Sequence, residues 1–175
     1  MESSIALQGC GGSIQSTADR AILRAIKSLY VAPVSTNIVT LGGSHPSPTS
    51  DFATAIANKN ILTLVLPGEA LTAETENTPF GFDEQKALEN SRSIEADGVL
   101  YSVLSYRRTY AEKICAVDVH FTVDVLQKGS GKKLLEIQKN RHQEGQFSIA
   151  NNAINDLTLN VINDATEELH AELSK

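Results

Sequence analysis

The chain has 175 residues, of which 41% are hydrophobic and 21% are charged, and its formal net charge is −6. This length is typical of one domain whose core needs neither a disulfide nor a metal for stability. The net negative charge, together with the absence of any basic cluster larger than the pair Arg107-Arg108, argues against a phosphate-backbone partner. We therefore expect no nucleic acid among the partners.

The first 15 residues are rich in serine, glycine and glutamine, and we expect a flexible tether in front of one globular domain over residues 16–175. Within this leader, Leu7-Gln8-Gly9-Cys10 has the form of a bacterial lipobox, whose cysteine carries a diacylglyceryl anchor. Only residues 1–6 precede the motif, so the basic start and apolar run of a signal peptide are missing. We interpret the leader as the remnant of a lipoprotein signal with Cys10 as the lipidated residue; a chance match is the alternative.

The second cysteine, Cys115, falls on the inward side of a predicted strand, where a free cysteine usually behaves as a small hydrophobe. A bridge between Cys115 and Cys10 has no positive support, because spacing alone does not show that two sulfurs meet.

Hydrophobic periodicity predicts alternating helices and strands in the first half of the chain. Ser28–Thr36 is predicted as the first strand, and Pro33 marks an edge, a bulge or the strand's end because proline has no N–H to donate. A helix precedes it from Ser16, with one face formed by Ala18, Ile22, Ala25, Ile26 and Leu29. The segments that follow are predicted as a loop (Val39–Ser50), one or two helical turns capped by Ser50 or Asp51 (Asp51–Asn58), a buried strand (Ile61–Leu66) and a second loop (Leu71–Gly81).

The second half gives stronger signals. A helix over Phe82–Ala96 is followed by Val99–Arg107, which is apolar on both faces and is therefore predicted as a central strand. The next strand, Lys113–Gln127, alternates between two kinds of side chain. Its inward face carries Cys115, Val117, Val119, Phe121, Val123 and Val125, and its outward face carries Asp118, His120, Thr122 and Asp124.

The chain then closes in a recognisable order. Gly129-Ser130-Gly131 predicts a turn into a return strand, Lys132–Gln138, and Ser148–Leu173 predicts a helix that covers the apolar face of the sheet. The stripe of that helix consists of Ile154, Leu157, Val161, Ala165 and Leu169. Together the elements predict an α/β (α+β) fold: a mixed β-sheet with helices packed on it, ending in an antiparallel hairpin and a C-terminal helix.

The sequence contains no recognisable catalytic constellation, and we expect neither an enzyme nor a cofactor. The glycine-rich stretches at 9–12 and 41–44 lack the lysine and the glycine spacing of a phosphate-binding loop. Asp118, His120 and Asp124 share a strand face and are candidate metal ligands. Because alternation produces such a trio on any exposed strand, the solvated interpretation is preferred and no metal site is predicted.

A dense aromatic and basic feature lies on the central strand and just beyond it. Tyrosine and arginine are enriched at the energetic centres of protein interfaces, so this set is the candidate interface. In the alternative interpretation Tyr101 belongs to the core and the arginines are solvated. The set comprises Tyr101, Tyr106, Arg107, Arg108 and Tyr110.

These residues also carry a family resemblance. Ala96-Asp97-Gly98-Val99-Leu100-Tyr101 resembles the start of the central strand in small bacterial lipoproteins with a TolB-amino-domain or CsgG-like fold. That group includes the curli secretion lipoprotein, LpoB and the Pel exopolysaccharide lipoprotein. The pattern continues through Val117–Leu126, the glycine turn, Leu134–Gln138 and Ala150–Leu173. A second segment is similar to YajG-type lipoproteins, namely Glu144-Gly145-Gln146-Phe147 followed by Asn151–Leu169.

The resemblance implies a non-enzymatic periplasmic lipoprotein, anchored to the outer membrane through Cys10, that assists secretion or envelope assembly. Its partners would be envelope proteins, including further copies of itself, and its docking surface would include the Tyr101–Tyr110 region and the 39–50 loop. A small-ligand or glycan-binding module is the alternative, with a cleft beside Val99–Tyr106 that uses Tyr101, Tyr106 and His120. An enzyme of unrecognised type is the third hypothesis.

Overall fold

The computed structural model describes residues 17–37, 47–60, 62–146 and 150–175. The order of elements alternates helices and short strands first and ends in three long strands and a long helix. The elements are α1 (Thr17–Ala25), β1 (Ser28–Val31), β2 (Ser35–Thr36), α2 (Pro48–Ala57), β3 (Thr63–Val65), α3 (Glu69–Asn77), α4 (Glu84–Ser91), β4 (Gly98–Ala111), β5 (Ile114–Gln127), β6 (Lys133–Gln146) and α5 (Ala150–Leu173).

The described strands form one six-stranded mixed sheet in the order β3-β1-β4-β5-β6, and β2 also pairs with β4. β1 runs parallel to β3 and β4, whereas β4, β5 and β6 are antiparallel neighbours. Gly129 (φ 90°) and Gly131 (φ 70°) lie in the β5–β6 turn, where a left-handed backbone favours glycine. The predicted mixed sheet, terminal hairpin and C-terminal helix are confirmed.

Helices α1, α2 and α5 pack on one face of the sheet, which we call the covered face. The inward side chains of β5 are buried there, and Phe121 meets Phe52 of α2 edge to face with ring centroids 5.0 Å apart. A register shift opposite Val125 and Leu126 brings both Leu134 and Leu135 into this core. The predicted stripe of α5 is buried in the same cluster, at Ile154, Leu157, Val161, Ala165 and Leu169.

Within the described ranges, the opposite face is covered only near the start of β4, where α4 and Leu71 of α3 pack on a smaller apolar cluster. Farther along the long strands the side chains on this side are exposed or half-buried, and we call this region the open face. It comprises Val103, Ser105, Arg107 and Thr109 of β4, Ala116, Asp118, His120 and Thr122 of β5, and Gln138, Asn140, His142 and Glu144 of β6.

Two predictions at helix ends are wrong. The first helix ends at Ala25, so Leu29 belongs to β1, and Leu23 is buried whereas Ala25 is exposed. α2 begins at Pro48 rather than Asp51, with Ser47 as the N-cap whose hydroxyl accepts from the Ser50 N–H at 3.2 Å. A proline in the first turn suits a helix because the N–H there has no partner within the helix.

Predictions around the sheet edge are also wrong. β3 lies at the edge rather than in the interior, and the following segment, predicted as a loop, forms helix α3. The glutamates, alanines and leucine of α3 are strong helix formers that outweigh its threonines. The predicted strand Ser28–Thr36 is divided around Pro33 into β1 and β2.

The elements of the second half differ mainly in length. The predicted helix over Phe82–Ala96 is reduced to α4, for which Asp83 is the N-cap and accepts from the Lys86 N–H at 2.8 Å. β4 and β6 are longer than predicted and reach Ala111 and Gln146. Cross-strand hydrogen bonds with β5 hold these polar ends in the sheet although they lack an apolar pattern.

Candidate interaction surfaces

The predicted interface residues of β4 do not form one patch. Alternation along the strand places Tyr101 and Arg107 on the side of the open face, and Tyr106, Arg108 and Tyr110 on the side of the covered face. The last part of β4, from Arg107 onward, lies at the closed end of the hairpin that β4 forms with β5.

Two of these tyrosines contribute to the fold. The Tyr101 hydroxyl donates to the carbonyl of Phe82 at 3.3 Å, and burial raises the pKa of Tyr101. Tyr106 packs against the main core, and its backbone N–H and carbonyl bond the side chain of Asn37 at 2.8 and 2.9 Å. The alternative interpretation, in which Tyr101 packs with the interior, agrees with these contacts.

The remaining three residues lie in the hairpin tip, defined here as residues 107–114. Tyr110 is 50% exposed and Ile114 is 53% exposed, and these two side chains lie on opposite sides of the hairpin. An Arg108 Nη1 donates to the Tyr110 hydroxyl at 3.0 Å. The turn residue Glu112 has φ 53°, a left-handed conformation that tight hairpin turns require. The tip is thus apolar on both sides and rich in basic side chains.

The candidate metal trio on the open face is divided among three different partners. Asp118 bonds the Nδ1 of His142 at 2.6 Å, and His120 bonds Asn140. Asp124 forms an ion pair with Lys133 at 3.3 Å. Among the described residues, no group of three His, Cys, Asp or Glu side chains is placed to hold a metal ion.

His142 was missed as a neighbour of Asp118 because the return strand was predicted to end at Gln138. In the structure the ring of His142 lies between two carboxylates, with its Nε2 3.3 Å from Glu144. The hydrogen bond to Asp118, and after it that to Glu144, raises the pKa of His142. The signal in the sequence was the alternation of polar residues after Gln138, which only a known register would have aligned with β5.

Asp124 is the buried carboxylate at the border of the open face. It is only 6% exposed, and its Oδ1 has no hydrogen-bond partner among the described residues. Burial raises the pKa of Asp124 to about 6, although the neighbouring Lys133 opposes the shift. The same lysine bonds Glu136 at 2.7 Å and lowers the pKa of Glu136.

A groove of about 780 Å³ lies between α2, β3 and α3, beside the edge of the sheet. Glu76 lies in it and accepts from the Ser47 hydroxyl and, at 3.2 Å, from the Thr49 N–H. Burial, and after it the charge of Glu76, raises the pKa of the nearby Asp51. The groove is lined by Ser47, Thr49, Ser50, Ala53, Thr54, Ala57, Asn60, Leu62, Leu64, Leu66, Pro67, Glu69, Thr72, Ala73 and Glu76.

Sequence reasoning missed this groove because it placed β3 in the interior and α3 in a loop. Tyr101, Tyr106 and His120, which were proposed to line a ligand cleft, are not among its lining residues. Cys10 and most of the 39–50 loop lie outside the described residues. No helix in the described ranges is long and apolar enough to cross a membrane.

No protein-family model and no curated protein sequence matches the chain. Among solved structures, the PelC dodecamer from Paraburkholderia phytofirmans aligns with a TM-score of 0.54 and 18% identity, over 91% of this chain and 97% of PelC. A point variant of the same PelC dodecamer aligns with a TM-score of 0.53 and 17% identity, over 91% and 94% of the two chains.

A lipoprotein from Neisseria meningitidis aligns with a TM-score of 0.46 and 13% identity, over 79% of this chain and 96% of its own length. A likeness of that size adds nothing to the assignment of the fold. The two PelC structures suffice for it: this chain has the fold of PelC, as the resemblance in the sequence predicted.

Proposed function

We propose that this protein is a non-enzymatic accessory lipoprotein of the bacterial cell envelope, held at the periplasmic side of the outer membrane through Cys10. It self-associates and acts through protein–protein contacts in secretion or envelope assembly. The observation that carries the proposal is the alignment with PelC, a dodecamer, over almost the whole of both chains. The lipobox form of Leu7-Gln8-Gly9-Cys10 supports it independently.

The surfaces of the chain are compatible with contacts between proteins. The hairpin tip exposes Tyr110 and Ile114, and the groove beside β3 exposes Leu66. Exposed apolar side chains with a polar rim are typical of interaction sites. Residues 11–15 would serve as the tether between the anchor on Cys10 and the globular domain.

The anchoring is tested by membrane partition of the protein expressed from its full-length gene. We expect the wild type and a Cys115→Ala control in the membrane fraction and a Cys10→Ala variant in the soluble fraction. One cysteine that carries two or three acyl chains binds a membrane stably, whereas a single chain would bind only marginally. Equal partition of the wild type and Cys10→Ala would end the anchoring proposal.

Self-association is tested by size-exclusion chromatography with light scattering on the purified chain. A mass several times that of one chain is expected. A single-chain mass at every concentration would contradict self-association.

A second candidate function is a small-ligand or glycan-binding module, and one observation favours it. The groove volume of about 780 Å³ is within the range of small-molecule sites, and its lining mixes apolar and polar side chains. A thermal-shift screen with envelope glycans and lipids tests this candidate. A ligand that raises the melting temperature of the wild type but not of a Leu66→Lys variant would support it, and a screen without any stabiliser would count against it.

A further inference from the structure

We propose that the hairpin tip of one copy inserts into the groove of the next copy, so that copies of this chain assemble head to tail. This inference rests on the self-association proposed above and specifies the two surfaces that meet.

The two surfaces are complementary in apolar character. The tip presents Tyr110 on one side and Ile114 on the other, each about half exposed. The groove presents an apolar wall from β3 and the residues beside it, and Leu66 in that wall is 57% exposed. Insertion would remove all three side chains from water together, which is the main favourable term in protein association. Tyrosine and arginine, both present in the tip, are enriched at the energetic centres of interfaces.

The two surfaces are also complementary in charge. The described residues that line the groove include Glu69 and Glu76 but neither lysine nor arginine. The tip carries Arg107, Arg108 and Lys113 against the single acidic residue Glu112. A basic segment that enters an acidic groove is attracted, and the same arrangement disfavours contact between two tips or two grooves.

The contact cannot form within one chain. The groove lies level with the start of β4, since Val65, Tyr30 and Val99 are aligned across the sheet. Tyr110 is eleven residues farther along β4 than Val99, and at about 3.3 Å per residue the tip is ~36 Å away along a strand that is paired with β5 over its whole length. A tip that enters the groove therefore belongs to a second copy.

Because tip and groove are different surfaces of the same chain, the contact is heterologous. Such contacts continue from copy to copy and give a ring if the rotation closes, or a filament if it does not. A chain that lacks one of the two surfaces still has the other, and this property supplies a specific test.

The test uses two variants whose changes are confined to exposed residues. The tip variant carries Tyr110→Ser and Ile114→Ser, and the groove variant carries Leu66→Lys and Glu69→Lys. The altered tip stays basic and the altered groove becomes basic, so the two altered surfaces repel each other. Arg92→Glu directly after α4 and Leu159→Lys on α5 make matched changes at exposed positions outside both surfaces. Circular dichroism and a thermal melt confirm that each variant is folded.

We expect the wild type and both controls to form the large assembly, and each variant alone to have the mass of a single chain. An equimolar mixture of the tip variant and the groove variant should have twice that mass. The groove variant supplies an intact tip and the tip variant supplies an intact groove, so one contact forms between them. The other tip and groove of this pair are both altered, so no third copy is added.

Three results would overturn the inference. If both variants keep the wild-type mass, or if the mixture stays at the mass of a single chain, tip and groove do not meet, while self-association of the wild type still stands. If the wild type itself has the mass of a single chain at every concentration, self-association fails and this inference fails with it.

Discussion

The two faces of the long strands β4, β5 and β6 carry opposite kinds of side chain. On the covered face Val117, Val119, Phe121 and Val123 are at most 2% exposed and lie under α2 and α5. On the open face the alternate positions of the same strand carry polar side chains that bond β6, as Asp118 does with His142.

This difference separates stability from interaction. Apolar side chains that leave water on the covered face supply most of the favourable free energy of folding. The exposed pairs of the open face contribute little, because ion pairs in contact with water are typically worth at most about 1 kcal/mol. We therefore expect substitutions on the two faces to have very different effects, in the order below.

The largest effect is expected for Phe121→Ala. The side chain is fully buried and meets Phe52, so its removal leaves a cavity and should lower the free energy of unfolding by about 3–5 kcal/mol. Gln138→Ala, on the open face, should lower it by less than about 0.5 kcal/mol. Urea denaturation measures both values, and similar losses would contradict the contrast between the faces.

A smaller effect, dependent on pH, is expected at Asp124. Because its pKa is about 6 in the folded protein against 3.8 ordinarily, its favourable contribution is present below about pH 4 and is lost as the pH rises through 6. The difference corresponds to at most about 3 kcal/mol, a value that already includes the opposing effect of Lys133. Asp124→Asn should become more stable relative to the wild type by that amount between pH 4 and pH 7.

Asp156→Asn is the control for this measurement, because Asp156 is an exposed aspartate on α5. Its stability relative to the wild type should not change over the same range of pH. A constant difference between Asp124→Asn and the wild type would show that the carboxylate of Asp124 titrates normally.

A still smaller effect is expected where α5 meets β6. Arg141 donates through Nε and Nη2 to the two carboxylate oxygens of Asp164, at 2.8 and 2.9 Å, and both side chains are partly exposed. A double-mutant cycle with Arg141→Ala and Asp164→Ala should give a coupling of about 0.2–1 kcal/mol that decreases in 1 M salt. A coupling above about 2 kcal/mol would place this pair among the buried interactions instead.

The smallest expected effect is a change in titration without a change in fold. NMR titration should give His142 a pKa above 6.5, and Asp118→Asn should move it back toward 6.5 because the main hydrogen-bond partner loses its charge. His170, which lies on α5, serves as the control, and Asp118→Asn should leave its resonance at each pH the same as in the wild type. An unchanged His142 pKa in Asp118→Asn would show that the two side chains do not interact in solution.

The predictions from sequence were accurate where a pattern ran over many residues. Alternation over Lys113–Gln127 identified β5, glycines at 129 and 131 identified the turn, and apolar spacing identified α5. Short segments were less accurate, since a run such as Ile61–Leu66 does not distinguish a buried strand from one at an edge. The leader with Cys10, the domain limits and the proposed interface stay predictions.

The sequence by itself determined which residues of β5 point into a core and which point away, because neighbouring side chains of a strand must alternate. It likewise determined the amphipathic stripe of α5. Only the tertiary structure decided that β3 is an edge strand, that α2 and α3 border a groove beside it, and that His142 lies opposite Asp118. The physical reason is that these features depend on strand order and register between segments far apart in the chain, which no local pattern encodes.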